Sequence, residues 1–381
     1  MGAGESGAIE MTRGHVFVHS SFRTSSTWFW LVLRRVPNVC AYYEVFHTML
    51  ADLKPGDLPR HRYDSWPSGH PAADPYFIEY GPLLAEEGVP GYSVDMAFDR
   101  FIPEAGLDGA LSAAEMQYLE RLIAVAQDAG SLPVLTACRS LGRIGAIKRQ
   151  LGGWNIFLYR NLFQQWMSYL SLCRAGNSGF FSTIEQTLSR SRHDPFMALL
   201  ARECLDDEDG GSTLKDVDAA FRAFMGVHLY LSMNAFREAE QVVDVNRLVS
   251  DADYRAEAVD LLERETGLRV DFSDGRERIE SAGLQPHAPP NLRGVVEESL
   301  QMAAGHLQLC ADDPAYRFGA SLAAACVEEE ARYRFYTDGL KAEMQKVPQP
   351  VPEESKGRPV ARPLRALLKW QPSLAGIIGR R

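Results

Sequence analysis

FVHSSFRTSSTWFW, residues 17–30, sets an apolar run against small hydroxyl residues around a single arginine and closes in aromatics. Residues 16–20 read as a short buried strand, and residues 26–35 keep helical apolar spacing through Trp28, Leu31 and Val32. The stretch is therefore strand, turn, helix. A loop joining a parallel strand to a helix N-terminus is an anion site, because unpaired backbone N–H groups and the positive end of the helix dipole converge there. Ser21, Thr24, Ser25, Ser26 and Thr27 add hydroxyl donors, and Arg23 adds a fixed positive charge. The bland alternative is that the hydroxyls only cap the helix, and this stretch alone leaves both readings standing.

Working outward, the same alternation recurs. Residues 113–130 read as a helix with Met116, Leu119, Leu122 and Ile123 apolar and Gly130 at its end, followed by the strand LPVLTA, residues 132–137. Residues 141–151 look helical and basic, NIFLYR (155–160) is a buried strand, and FQQWMSYLSLC (163–173) is helical again. Strands alternating with helices predict an α/β fold, a central parallel sheet flanked by helices. Residues 194 to about 267 read as nearly all helical, a layer over that sheet, with Asp206, Asp207, Glu208 and Asp209 a solvated acidic loop and His228 a core residue. One domain over residues 13–345 is expected, and then a Pro-rich basic tail, 346–381, that reads as flexible.

Composition excludes several classes of function. At 381 residues, 46% hydrophobic and 24% charged, the chain can bury a large core as a globular protein. The net charge of −10 argues against a broad phosphate-tracking surface, so no nucleic-acid partner is expected, while a small anion remains a candidate ligand. Six scattered cysteines with no C-x-x-C suggest reduced thiols and no metal. With no apolar leader and no run of about 18 uncharged apolar residues, the expected compartment is the cytoplasm. The tail's second reading is weak contact with an anionic membrane surface. The sequence assigns no oligomeric state.

A second motif separates anion binding from capping. Arg160 follows a buried strand, and Ser168 lies about two helical turns further on in the next helix. A cation at a strand's carboxyl end faces the crevice where open parallel sheets bind ligands. Residues 21–27, between the strand and the helix, contain no glycine, so the loop is neither G-x-x-x-x-G-K-[ST] nor G-x-G-x-x-G.

Together the two motifs resemble those of the sulfotransferases that use 3′-phosphoadenosine 5′-phosphosulfate, whose first motif typically reads R-[ST]-G-[ST]-[ST]-[WL]. Arg23, Thr24, Ser25, Ser26, Thr27 and Trp28 match it except at Ser25, where glycine is usual. The resemblance runs over roughly residues 15–278 and takes in VLTACRSLGR and the segment around residues 244–274. No R-K-G-x-x-G loop is present. The resemblance implies a P-loop-like sulfotransferase fold, a first loop that binds the 5′-phosphosulfate, and Arg160 and Ser168 on the 3′-phosphate, with no metal required. A serine held at positive φ at position 25 costs on the order of 1 kcal/mol.

Sulfuryl transfer follows the logic of phosphoryl transfer, in which positioned donors do most of the work and Arg23 neutralises developing charge. The acceptor hydroxyl needs a proton acceptor, and CAYYEVFHTML offers Glu44 as base with His47 as helper or acceptor-binding group. A return strand over residues 39–43 would bring Glu44 to the loop. Arg139 follows LPVLTA and faces the same crevice. Acceptor selection is expected in SWPSGHPAADPYFIEY (65–80), whose aromatics, His70 and Glu79 suit a small-molecule or glycan acceptor, a carbohydrate or glycolipid first. Two alternatives remain: a non-catalytic module that binds nucleotide or sulfated ligand on a degenerate fold, and a small-metabolite kinase.

Overall fold

The computed structural model describes residues 14–60, 75–86, 88–208, 211–275 and 291–346. In chain order the elements are β1 (Val16–Ser20), α1 (Ser26–Arg34), β2 (Val39–Tyr42), α2 (Ala113–Asp128), β3 (Leu132–Ala137), α3 (Ile144–Leu151), β4 (Trp154–Tyr159), α4 (Leu162–Arg174), α5 (Gly179–Arg190) and α6 (Pro195–Cys204). There follow β5 (Leu205–Glu208), β6 (Gly211–Leu214), α7 (Val217–Glu238), β7 (Gln241–Asp244), α8 (Val245–Ser250), α9 (Ala252–Thr266), α10 (Leu292–His306) and α11 (Pro314–Lys346).

Five of the strands form one parallel sheet in the order β2-β3-β1-β4-β7. Every residue of β1 is buried, as a central parallel strand covered on both faces requires. Of its two polar residues, Ser20 Oγ lies 3.3 Å from Cys138 Sγ, and His19 is satisfied by Ser140 Oγ at 2.8 Å and Asn155 Oδ1 at 3.0 Å, with burial lowering its pKa to about 4. Right-handed crossovers running in opposite directions place α1 on one face and α2 and α3 on the other. Consistent with this, α1 packs on β2 and β3, while α2 meets α3, which in turn meets α7.

The order has a mechanical consequence at β1. The chain leaves β1 for the edge strand β2, returns through β3, and then crosses to β4 on the opposite side. At such a switch the connections splay apart and open a crevice at the carboxyl ends of the strands. Three connections converge there: residues 21–25 after β1, residues 138–143 after β3, and Arg160 with Asn161 after β4.

Local signals explain most boundaries. α2 begins at a capping box in which Ser112 and Glu115 satisfy one another's backbone N–H groups. Glu115 also pairs with the fully buried Arg143 at 2.6 Å, fastening the connection after β3. Asn161 caps α4 by accepting from the N–H groups of Phe163 and Gln164.

The region after residue 194 departs from the all-helical expectation. Residues 205–208 and 211–214 pair as an antiparallel ribbon, so Asp206, Asp207 and Glu208 lie on a strand rather than in a loop. The run QVVD is the fifth strand of the main sheet, paired with β4. Four residues between two helices are too short for periodicity to register. The chain divides into two compact units, the first ending at Arg332 and the second beginning at Tyr333. Of the expected tail, all but Lys346 lies outside the described residues. Among the described residues, no helix is long and apolar enough to cross a membrane.

Candidate functional site

The loop after β1 is held in an unusual backbone. Arg23 (φ 67°) and Ser25 (φ 63°) both adopt the left-handed conformation. Ser25 thus takes the geometry glycine would take freely, and each such residue costs on the order of 1 kcal/mol. The capping reading fails on the same residue: Ser25 is the N-cap of α1, yet its side chain makes no cap hydrogen bond. The other hydroxyls are used elsewhere. Thr24 Oγ1 donates to the Ser21 carbonyl at 2.8 Å, Ser26 Oγ lies 3.3 Å from Cys138 Sγ, and Thr27 Oγ1 lies 3.0 Å from the Tyr43 hydroxyl. Burial first, and Glu44 next to it, push the Tyr43 phenol well above its ordinary range, so that hydroxyl keeps its proton. Side-chain bonds therefore shape the loop while the first turn of α1 is left uncapped by side chains.

The two motifs meet. Arg23 Nε donates to Ser168 Oγ at 2.8 Å, and Arg160 Nη1 reaches the Arg23 carbonyl at 3.4 Å. Gln165, three residues before Ser168 and hence on the same helical face, donates to Ser21 Oγ at 2.8 Å and to the Phe22 carbonyl. Its amide also lies 3.3 Å from His228 Nε2. His228 is the core residue expected, with Nδ1 at 2.7 Å from the Phe224 carbonyl, and burial lowers its pKa to about 4. Arg160 and Ser168 are both buried, and the Arg23 guanidinium rests 5.2 Å over the Phe180 ring.

Glu44 joins this assembly from the other side. It leaves β2 at φ 48°, a left-handed turn, and its Oε2 accepts from the Cys138 N–H at 3.2 Å and from Arg139 Nη1 at 3.1 Å. Cys138 therefore links the carboxylate to the Ser26 hydroxyl of the loop. Burial pushes the Cys138 thiol up, so it stays protonated. Arg139 lies between the Phe22 and Phe98 rings, at 4.9 and 5.1 Å, and its buried Nε has no hydrogen-bond partner among the described residues. A small cavity of about 20 Å³, room for a single water, adjoins the loop between Ser21, Phe22, Cys138, Tyr169 and His228.

Other expected residues are engaged outside the Arg23–Ser168 contact. Trp28 donates to Asp274 Oδ1 at 3.0 Å and packs on Phe272, so it braces α1 against the segment that follows α9. His47 Nδ1 accepts from the Met49 N–H at 3.1 Å, capping a short 3₁₀ turn, with its ring against Phe77. Of the expected acceptor segment, residues 65–74 lie outside the described residues, His70 among them. Of the remainder, Tyr76, Phe77 and Tyr80 are fully buried, the Tyr80 hydroxyl donates to the Tyr43 carbonyl, Glu79 pairs with Arg34, and Ile78 is exposed.

Gln164, Gln165 and Cys138 were not singled out from the sequence. Two adjacent amides at the start of an otherwise apolar helix, directly after an arginine-terminated strand, were the legible signal for the first two. Comparisons with protein-family models, curated proteins and solved structures each return no match.

Proposed function

We propose that this chain is a sulfotransferase that moves a sulfuryl group from 3′-phosphoadenosine 5′-phosphosulfate to a hydroxyl of a small-molecule or glycan acceptor, a carbohydrate or glycolipid first. The observation that carries the reading is the Arg23–Ser168 hydrogen bond, which brings the loop after β1 and the motif after β4 into direct contact. The residues fit such a donor: the N-terminus of α1, uncapped by side chains, would hold the 5′-phosphosulfate, and the buried Arg160 with Ser168 would hold the 3′-phosphate. The proposed setting is the cytoplasm, which suits six unpaired thiols.

When bound, the donor supplies a sulfuryl group to an incoming hydroxyl. Arg23 and the N–H groups of the first turn of α1 offset the negative charge that gathers at the bond being broken, an effect worth roughly 3–4 kcal/mol for one preorganised donor. Glu44 takes the proton of the acceptor hydroxyl at Oε1, the carboxylate oxygen that accepts neither the Cys138 N–H nor Arg139. Arg139 fixes the direction of that carboxylate, and its stacked guanidinium restricts the rotamers of both side chains.

The Arg139–Glu44 ion pair also favours a second reading, in which Glu44 is structural and the chain binds nucleotide without catalysis. A transfer assay separates the two. Donor labelled on sulfur is incubated with the full chain and panels of sugars and glycolipids, with a chelator present. Label on an acceptor is the expected result; tight donor binding with no transfer to any acceptor favours the binding module, and no donor binding sinks both.

A further inference from the structure

We infer that Gln164 is a positioning and specificity residue: it aims Arg160 at the 3′-phosphate through an uncharged carbonyl. The inference rests on the donor site proposed above. Gln164 lies one helical turn beyond Arg160, and its Oε1 accepts from Arg160 Nε at 3.3 Å and from Asn246 Nδ2 at 2.7 Å. Its Nε2 donates to Glu329 Oε1 on α11 at 3.0 Å.

The orientation of this amide follows from a backbone group. The Asn161 N–H can only donate, and it donates to Asn246 Oδ1 at 2.9 Å. Asn246 must then turn its Nδ2 outward, and the atom that receives it on Gln164 must be the oxygen. That leaves the Gln164 nitrogen for the Glu329 carboxylate, which is where it lies. The Asn246 backbone is held in the first turn of α8 by Asp244, the N-cap, whose carboxylate accepts from the Asn246 N–H at 2.8 Å. Every polarity along the chain from the Asn161 N–H to Glu329 is determined, so the amide has one arrangement.

The chemistry of that arrangement is specific. A carboxylate at position 164 would hold Arg160 by the same hydrogen bond, but it would also offset the guanidinium charge that a phosphate needs. An amide supplies the direction without the charge. It further places the Glu329 carboxylate on the far side of Gln164, where Oε2 is occupied by Arg332 at 3.0 Å. Gln164 thus separates an acidic group on α11 from the arginine it would otherwise compete for.

The test is a calorimetric comparison of wild type, Gln164→Glu and Gln164→Leu in the full chain, titrated with adenosine 3′,5′-bisphosphate and with AMP. Gln164→Glu keeps the shape and the acceptor toward Arg160, gives up the donor to Glu329, and should weaken the bisphosphate at least about tenfold while AMP stays within about twofold. Gln164→Leu removes the acceptor without adding charge and should fall between the two; it also carries the test should the glutamate variant not fold. Bisphosphate affinity equal to wild type in the folded variants, or equal losses for both nucleotides, overturns the assignment. A wild-type chain that binds bisphosphate no better than AMP overturns the donor site itself, and this inference with it.

Discussion

Arg23 Nε and Ser168 Oγ lie 2.8 Å apart although 145 residues separate them in the chain. Because Ser168 is buried, its hydroxyl holds the Arg23 side chain against α4 in a fixed direction. Ser168→Ala should weaken adenosine 3′,5′-bisphosphate binding by roughly tenfold or more, the usual worth of a hydrogen bond to a charged group. Fluorescence titration reads this directly, and an unchanged affinity would mean that the two motifs do not form one site.

Arg160→Ala should discriminate between nucleotides. Bisphosphate binding is expected to fall sharply and AMP binding to hold, since only the former carries the phosphate that Arg160 is assigned. Equal losses would sink the role.

The left-handed Ser25 makes a prediction of opposite sign. Ser25→Gly relieves a conformation worth on the order of 1 kcal/mol, partly offset by the greater freedom of glycine in the unfolded chain. The glycine variant should therefore match or exceed wild type in denaturation midpoint, while Ser25→Val, β-branched at φ 63°, should fall below it. A less stable glycine variant would show that the serine side chain contributes something the loop geometry does not reveal.

Glu44→Gln should leave donor affinity nearly intact and lower turnover by roughly two decades or more. The residue is buried against Arg139, so the variant's thermal midpoint is measured alongside. Full turnover at wild-type rates would remove Glu44 as the base and leave it a structural partner of Arg139.

Two buried histidines set an acid limit on stability. His19 and His228 each have pKa lowered to about 4 by desolvation, against an ordinary 6.5. The unfolded chain takes up these protons near pH 6.5 and the folded chain does not, so their contribution is complete above about pH 6.5 and is lost as pH falls toward 4. Each is worth about 3 kcal/mol across that window. His228→Gln should flatten the decline in denaturant midpoint between about pH 7 and pH 4.5 relative to wild type; an identical decline would mean that His228 protonates without penalty.

Much of this arrangement was legible in the sequence. The runs that became β1, β3 and β4 are apolar on both faces and flanked by helical periodicity, which is why their bounds came within a residue or so. The strand QVVD and the ribbon at 205–214 escaped because each is four residues long and adjoins helices. At the site, Arg23, Arg160 and Ser168 were readable as motif residues, but their direct contact was not, since no local pattern encodes a bond across 145 residues. The Arg139–Glu44 pair was hidden for the same reason. His47 and Trp28 were drawn in by their nearness to the motif along the chain, whereas helix geometry turns Trp28 toward Asp274 and a 3₁₀ turn claims His47.

The most direct measurement is calorimetric titration of the purified chain with adenosine 3′,5′-bisphosphate, with AMP, ADP and ATP alongside, each with and without magnesium. Selective binding of the bisphosphate, unchanged by magnesium, is the expected result and would establish the donor site at the junction of Arg23 and Ser168. No binding of the bisphosphate, or a preference for ATP that requires magnesium, would contradict it.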